Sequence, residues 1–165
     1  MRIVVPYTTL NPLTAKSLAT EAVEYVDVSQ SLESYWRLVD SLWSAGESFL
    51  LVEHDMEVNP RALRQARYCK CEWGVSPYIG PGHVMLDGAL GCTRFRSSLM
   101  RNFPDLLSRV ALFNDSPHFL QKDWRRLDAR MKGLLMQEGY SPHLHAEVKH
   151  HHVYQGRCAC GGEHG

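Results

Sequence analysis

An acidic cluster directly follows a short apolar segment of the sequence. Residues 49–52 are continuously apolar, and Glu53, His54 and Asp55 come next. A continuous apolar run is typical of a strand in a parallel sheet that is covered on both faces. Ligands of open α/β sheets bind beyond the carboxyl ends of the strands, where these side chains emerge. Carboxylates placed together repel each other unless a cation offsets their charge, and Mg²⁺ or Mn²⁺ prefers oxygen ligands together with substrate phosphates. The pattern predicts a divalent metal site, with a solvated acidic turn as the alternative.

The segments around this cluster alternate between strand and helix patterns. Three short segments are predicted to form strands: the apolar runs 3–6 and 49–52, and residues 25–28 between them. Asn11 and Asn59 are each followed by proline, which combines an N-cap with a favoured first helical residue. Apolar residues at 3.6-residue spacing over 32–43, closed by Gly46, predict another helix. The first half therefore indicates an α/β sheet with right-handed crossovers.

The second half of the sequence changes character. Residues 84–86 and 91–95 flank the turn pair Asp87-Gly88 and are predicted to form a β-hairpin. Three further elements are predicted: helices over 105–111 and 119–137, and a last strand over 144–154. We expect one α/β domain over residues 1–152, followed by a polar tail rich in Cys, His and Gly over residues 153–165.

Length and composition favour a single globular domain. The chain has 165 residues, of which 44% are hydrophobic, enough to build a core. Its 18 basic and 18 acidic residues give a formal net charge of zero, so no general attraction to nucleic acid or membrane is expected. No run approaches the ~20 apolar residues of a membrane-spanning helix. The N-terminus enters a strand pattern without a signal-peptide layout, which favours a cytoplasmic protein.

Several short motifs form an ordered set with the acidic cluster. They are the segment 4–8, Asp27, the helix-to-turn segment 122–140 and the segment 148–150. In this order they resemble the GT-A glycosyltransferases, whose DxD-like motif corresponds here to Glu53-His54-Asp55. The resemblance covers residues 1–152 and is nearest to a compact branch seen in phages and actinobacteria. It implies a Rossmann-like mixed sheet flanked by helices, and transfer of a sugar from a nucleotide-diphosphate sugar to an acceptor hydroxyl.

The resemblance also implies roles for individual residues. Asp55 and His150 would hold Mn²⁺ or Mg²⁺ on the diphosphate. The residues implied to bind the nucleotide sugar are Pro6, Tyr7, Thr8, Asp27, Glu53 and Asp55. Asp123 corresponds to the general base of inverting enzymes and is the first choice for the group that takes the acceptor proton. Asp128 is the second catalytic candidate. It lies about 140° further around the same predicted helix, where an ion pair with Lys132 is its alternative role.

Two basic helices suggest an acceptor. Their basic residues are Arg61, Arg64, Arg67 and Lys70 in one, and Lys122, Arg125, Arg126, Arg130 and Lys132 in the other. A solvated helix face explains either set alone. Together with the phage-like resemblance they favour hydroxymethylated duplex DNA, whose phosphates such residues would contact.

The tryptophans are predicted to serve different purposes. Trp36 and Trp43 have helical spacing and are expected in the core. Trp73 lies in a predicted loop and is a candidate for stacking on a sugar or a base.

The histidines and cysteines allow a different class of function. Five cysteines are an odd number, which favours free thiols or a metal over a disulfide scaffold. The tail motif Cys158-x-Cys160 with nearby histidines would suit zinc, although the usual structural spacing is C-x₂₋₄-C. A zinc-stabilised, non-enzymatic binding module is therefore the alternative function. His145-Ala146-Glu147 also matches the H-x-E of zinc deaminases, but no P-C-x-x-C follows it, so a deaminase-like hydrolase is a minor alternative. His151 and His152 are predicted to be surface residues.

Overall fold

A six-stranded mixed sheet forms the centre of the molecule. The computed structural model describes residues 1–80, 83–88, 90–112, 122, 126–151, 153–154 and 157–158. The sheet strands are β1 (Arg2–Tyr7), β2 (Val23–Asp27), β3 (Phe49–Val52), β5 (Trp73–Val75), β8 (Cys92–Phe95) and β9 (His143–Leu144), in the order β2-β1-β3-β8-β5-β9. β1 is parallel to β2 and β3, and β5 is parallel to β9. β8 runs antiparallel to both β3 and β5. The predicted α/β fold with a mixed sheet is confirmed.

Helices cover both faces of the sheet. They are α1 (Pro12–Ser17), α2 (Ser34–Ala45), α3 (Pro60–Tyr68), α4 (Ser97–Asn102), α5 (Leu106–Ala111) and α6 (Leu127–Gln137). Alternate residues of β3 point to opposite faces because side chains in a strand alternate. Leu50 and Val52 pack with residues of α3, whereas Phe49 and Leu51 pack with residues of α2, α5 and α6. Every residue of β3 is buried, which explains its continuous apolar sequence.

Local capping explains where two helices begin. The Asn11 side chain accepts a hydrogen bond from the Leu13 backbone N–H at 2.9 Å. Asn59 accepts from the backbone N–H groups of Arg61 and Ala62 at 3.0 and 2.9 Å. Gly46 ends α2 with a φ of 68°, a left-handed conformation that glycine adopts readily. The predicted starts of α1 and α3 and the end of α2 are thus confirmed.

The predicted hairpin over residues 84–95 is wrong. β7 (Met85–Leu86) pairs with β6 (Tyr78–Ile79), and β8 lies between β3 and β5. All four β8 residues are buried. Insertion into the central sheet gives this strand partners on both edges and apolar cover on both faces, whereas a hairpin with β7 would pair only one edge.

The predicted last strand over residues 144–154 is also wrong, because the chain forms three short strands there. After β9, β10 (Lys149–His150) pairs with β4 (Met56–Glu57), beside the end of β3. β11 (Val153–Tyr154) then pairs with β12 (Arg157–Cys158). The boundary between domain and tail at residue 152 stays a prediction. Among the described residues, no helix has the length and apolarity needed to cross a membrane.

Two residues that were predicted to be accessible, Trp73 and Arg130, are buried in the core. Trp73 lies in β5 rather than a loop, is 2% exposed and stacks on Phe95 with ring centroids 6.5 Å apart. It therefore contributes to the core and is closed to a sugar or base. Arg130 of α6 is also buried, at 3% exposed, so it is not part of a solvated basic face. Trp36 and Trp43 are buried as predicted.

Candidate active site

A cleft of about 970 Å³ opens at the carboxyl ends of the first three sheet strands. Its walls include residues that directly follow β1, β2 and β3: Thr8 and Thr9, Val28 and Ser29, and Glu53 to Asp55. Its position matches the general location of ligand sites in open α/β sheets. Its volume is in the range of small-molecule and cofactor sites.

Asp55 and His150 meet inside this cleft. Asp55 Oδ2 lies 3.0 Å from His150 Nε2, and their side chains are only 15% and 10% exposed. The β4–β10 pairing places His150 opposite Met56, and the His151 backbone N–H donates to the Asp55 carbonyl at 2.8 Å. Two backbone connections therefore hold the two residues side by side, although 95 positions separate them in sequence.

The two groups stabilise each other's charged forms. Burial would raise the pKa of Asp55, but the hydrogen bond and positive charge of His150 lower it below its ordinary value. Burial would lower the pKa of His150, but Asp55, the charge of Glu53 and a hydrogen bond to the backbone of Ile79 raise it. A histidine fixed through one ring nitrogen by a backbone carbonyl, with the other nitrogen beside a carboxylate, has the arrangement common for metal-ligating imidazoles.

Glu53 occupies a less polar position in the same cleft. Its backbone N–H donates to the Gly91 carbonyl at 2.7 Å, and Tyr35 donates its hydroxyl hydrogen bond to Glu53 Oε1 at 2.9 Å. Burial, followed by the nearby charge of Asp55, raises the pKa of Glu53 to about 7. A Cβ at Gly91 would lie 2.5 Å from the Tyr78 ring, so glycine is needed for this close approach.

His151 is not the free surface residue that was predicted. It lines the cleft, and its Nε2 lies 2.8 Å from Glu57 Oε2. His152 lies outside the described residues. Two consecutive histidines of the chain thus differ in partner, His150 with the deeper carboxylate and His151 with a more exposed one.

The residues proposed to bind the nucleotide sugar divide into two groups. Pro6 and Thr8 line the cleft along with Glu53 and Asp55, whereas Tyr7 and Asp27 are not among its lining residues. Asp27 is exposed and accepts a hydrogen bond from the Ser29 backbone N–H at 2.8 Å. Hydrogen bonds from Ser29 lower the pKa of this carboxyl. Asp27 therefore shapes the loop after β2, which itself contributes to the cleft.

Two tyrosines of the cleft were not singled out from the sequence. Tyr35 falls on the apolar stripe of α2, and Tyr78 lies in β6; both line the cleft and are largely buried. The helical spacing of Tyr35 with apolar residues predicts that its ring is buried. It does not indicate that the hydroxyl of Tyr35 contacts a carboxylate.

Asp128 is the catalytic candidate that the described residues place in the cleft. It lies in the first turn of α6, and burial raises the pKa of its carboxyl. Its predicted alternative, an ion pair with Lys132, is wrong, since Lys132 Nζ donates to Asp87 at 2.9 Å. Asp123 lies outside the described residues.

The donor set of the cleft fits a divalent metal. Asp55 offers a carboxylate oxygen, the donor that Mn²⁺ and Mg²⁺ prefer, and His150 offers an imidazole nitrogen 3.0 Å away as a second donor. Among the described residues no third Cys, His, Asp or Glu ligand atom forms a close trio with this pair. Substrate phosphates and water would therefore complete the coordination, as is usual for such ions at phosphate sites.

Comparison with solved structures shows what fold these elements form. A197 from STIV has a TM-score of 0.52 and 12% identity over 94% of this chain and 87% of that chain. A glycosyltransferase involved in the glycosylation of the major capsid of PBCV-1 has a TM-score of 0.50 and 10% identity over 90% and 92%. The chain has a glycosyltransferase-like fold. No protein-family model and no curated protein matches this sequence. At these identities the likeness concerns the fold, and function rests on the cleft itself.

Proposed function

We propose that this protein transfers a sugar from a nucleotide-diphosphate sugar to an acceptor hydroxyl, with Mn²⁺ or Mg²⁺ held by Asp55 and His150. The observation that carries the proposal is the Asp55–His150 pair, 3.0 Å apart in a cleft at the carboxyl ends of parallel strands. The glycosyltransferase-like fold supports it.

The described residues suggest how the donor is held. Pro6, near the end of β1, and Thr8, just after it, line the cleft and would bound its nucleotide end, while Asp55 and His150 would face the diphosphate. The bound metal would act as a Lewis acid that offsets the negative charge on the departing diphosphate. The hydrogen bond from the Tyr35 hydroxyl would hold the Glu53 carboxyl in place beside the site.

Asp123 and Asp128 are the two proposed bases for the acceptor proton. Asp128 lines the cleft, and its raised pKa makes its carboxylate a better proton acceptor than an exposed aspartate. Asp123 is proposed from the sequence resemblance. The acceptor proposed from the basic residues is hydroxymethylated duplex DNA.

Nucleotide binding with and without metal tests the metal assignment. We expect Mn²⁺ to increase the affinity of the protein for UDP, and Asp55→Asn and His150→Ala to remove most of this increase. Asn keeps the size of Asp55 but lacks the charge that attracts the cation. Isothermal titration calorimetry of each variant with UDP, with and without Mn²⁺, measures the effect.

Two matched variants serve as controls. His151→Ala removes the neighbouring imidazole, which pairs with Glu57, and Asp105→Asn removes an exposed carboxylate outside the cleft. Both should keep the metal-dependent increase. An equal loss in His150→Ala and His151→Ala, or an undiminished increase in Asp55→Asn, would contradict the assignment.

A further inference from the structure

A second group of metal-binding side chains lies outside the cleft. The ligand atoms of Cys69, Cys71 and His143 all lie within 4.8 Å of one another, and Cys69 Sγ is 3.3 Å from His143 Nδ1. Sulfur and nitrogen ligands of one tetrahedral Zn²⁺ lie about 3.6 Å apart, given Zn–S and Zn–N bonds of about 2.3 and 2.05 Å. The three side chains are therefore already close to the spacing that a zinc ion requires.

The fold brings these residues together from separate segments. Cys69 caps the C-terminus of α3 in an extended conformation, with its backbone N–H bonded to Gln65 at 2.9 Å. Cys71 lies in the short connection to β5. His143 begins β9, whose pairing with β5 sets it opposite Gly74. The cluster thus joins a helix end, a loop and an edge strand of the sheet.

Contacts around the cluster fix its geometry. The Cys71 backbone N–H donates to Cys69 Sγ at 3.4 Å and so links the two cysteines directly. Arg94 donates to the carbonyl of Cys71 at 2.6 Å and so holds the loop in place. The His143 ring packs edge-on against the buried His145 ring, with centroids 5.5 Å apart.

We propose that Cys69, Cys71 and His143 bind one Zn²⁺, with water at the fourth position. Thiolate and imidazole are the ligands that zinc prefers, whereas Mg²⁺ and Mn²⁺ prefer oxygen. Cys71 and His143 are exposed, so the fourth position faces solvent. Two thiolates neutralise the charge of the ion.

The proposed zinc ion would link three segments of the chain: the end of α3, the connection to β5, and β9. β9 is only two residues long and forms an edge of the sheet, so it has a strand partner on one side only among the described residues. The zinc ion anchors that segment to the end of α3, shortly before the chain reaches β10 and His150. This site is independent of the sugar transfer proposed above, because none of its ligands lines the cleft.

Metal content tests the proposal directly. Protein purified under reducing conditions should contain one zinc ion per chain by mass spectrometry of the metal. Cys69→Ser, Cys71→Ser and His143→Ala should each lose stoichiometric zinc. Cys92→Ala is the matched control, since this thiol is buried in β8 and is not part of the cluster, and it should retain the metal. Cys158→Ser with Cys160→Ser should retain it too.

Cobalt substitution reports the ligands without relying on activity. Co²⁺ bound to the full chain should give a thiolate-to-cobalt charge-transfer band that falls by about half in each single cysteine variant. The band should vanish in the double variant Cys69→Ser with Cys71→Ser. A chain with neither zinc nor this cobalt band would overturn the proposal. Zinc that survives all three ligand substitutions, or that is lost only with the tail cysteines, would also overturn it.

Discussion

Glu53 has the most strongly altered carboxyl environment in the candidate site. Its pKa is raised to about 7 from an ordinary value of 4.5 by burial and by the charge of Asp55. Between these pH values the folded chain keeps a proton on Glu53 that the unfolded chain releases. The contribution of Glu53 to the free energy of unfolding therefore decreases as pH rises through this window.

Glu53→Gln should remove this contribution, because Gln is neutral at every pH and nearly the same size. We expect the wild-type protein without metal to lose more stability than the variant between about pH 5 and about pH 7.5. Urea denaturation at a series of pH values measures the difference. Glu47→Gln, at an exposed position, should follow the wild-type curve. Parallel curves for the wild type and Glu53→Gln would show that the carboxyl is already ionised in the folded state.

At the scale of single residues, the sequence indicates those site residues that lie next to a recognisable strand. Glu53 and Asp55 stand out because they follow a strand that could be recognised from four apolar residues. His150 was predicted as a metal ligand only because residues 148–150 resemble a segment of the GT-A glycosyltransferases. No pattern in the neighbouring sequence indicates which carboxylate His150 contacts. Cys69 and His143 are 74 positions apart, so only the tertiary fold reveals their contact.

At the scale of elements, α3 carries much of the exposed positive charge. Arg61 and Arg64 are exposed on this helix. On α6, by contrast, Arg130 is buried and Lys132 pairs with Asp87. If hydroxymethylated duplex DNA is the acceptor, α3 is therefore the element best suited to contact its phosphates.

Arg61→Ala with Arg64→Ala should weaken binding to hydroxymethylated duplex DNA and flatten its salt dependence. Each lost phosphate contact lowers the slope of log K against log salt by about 0.9. UDP affinity should not change, because α3 does not line the cleft. Fluorescence anisotropy over a salt series gives both quantities.

Arg37→Ala with Arg101→Ala provides a control of equal charge on other helices, at two exposed positions. This variant should keep the wild-type slope. An unchanged slope in the α3 variant, or the same decrease in both variants, would remove α3 as a DNA-binding element and leave the sugar-transfer proposal standing.

The ends of helices could be predicted from the sequence, whereas the pairing partners of strand β8 could not. Asn11, Asn59 and Gly46 act on their own neighbours, so their capping roles follow from adjacent residues. The pair Asp87-Gly88 is a good turn signal, but it does not determine which strand β8 will join. The burial available between β3 and β5 decides that pairing, and it depends on residues far from the turn.

For the whole molecule, the aromatic cluster around Phe95 of β8 joins helix α2 to the middle of the sheet, where β3 and β5 flank β8. Phe95 is 1% exposed, and its ring lies 5.3 Å from that of Trp43 and 5.5 Å from that of Phe49. β8 is the strand between β3 and β5, so the loss of this side chain affects the packing of both.

Phe95→Ala should lower the free energy of unfolding by about 3–5 kcal/mol, as expected for a large buried aromatic residue. Phe95→Leu keeps most of the volume and should cost markedly less. Urea denaturation of both variants provides the measurement. A loss below about 1 kcal/mol in Phe95→Ala would mean that the core collapses around the cavity or that β8 is not central to it.

The separation of Asp55 and His150 has a consequence for the order of folding. Closing a loop of 95 residues costs roughly 4 kcal/mol of chain entropy, so this contact is unfavourable until the intervening strands and helices have formed. During synthesis, Asp55 leaves the ribosome well before His150. A partly synthesised chain therefore has the carboxylate but not the imidazole, and the complete pair arises only in a chain that has already built its sheet.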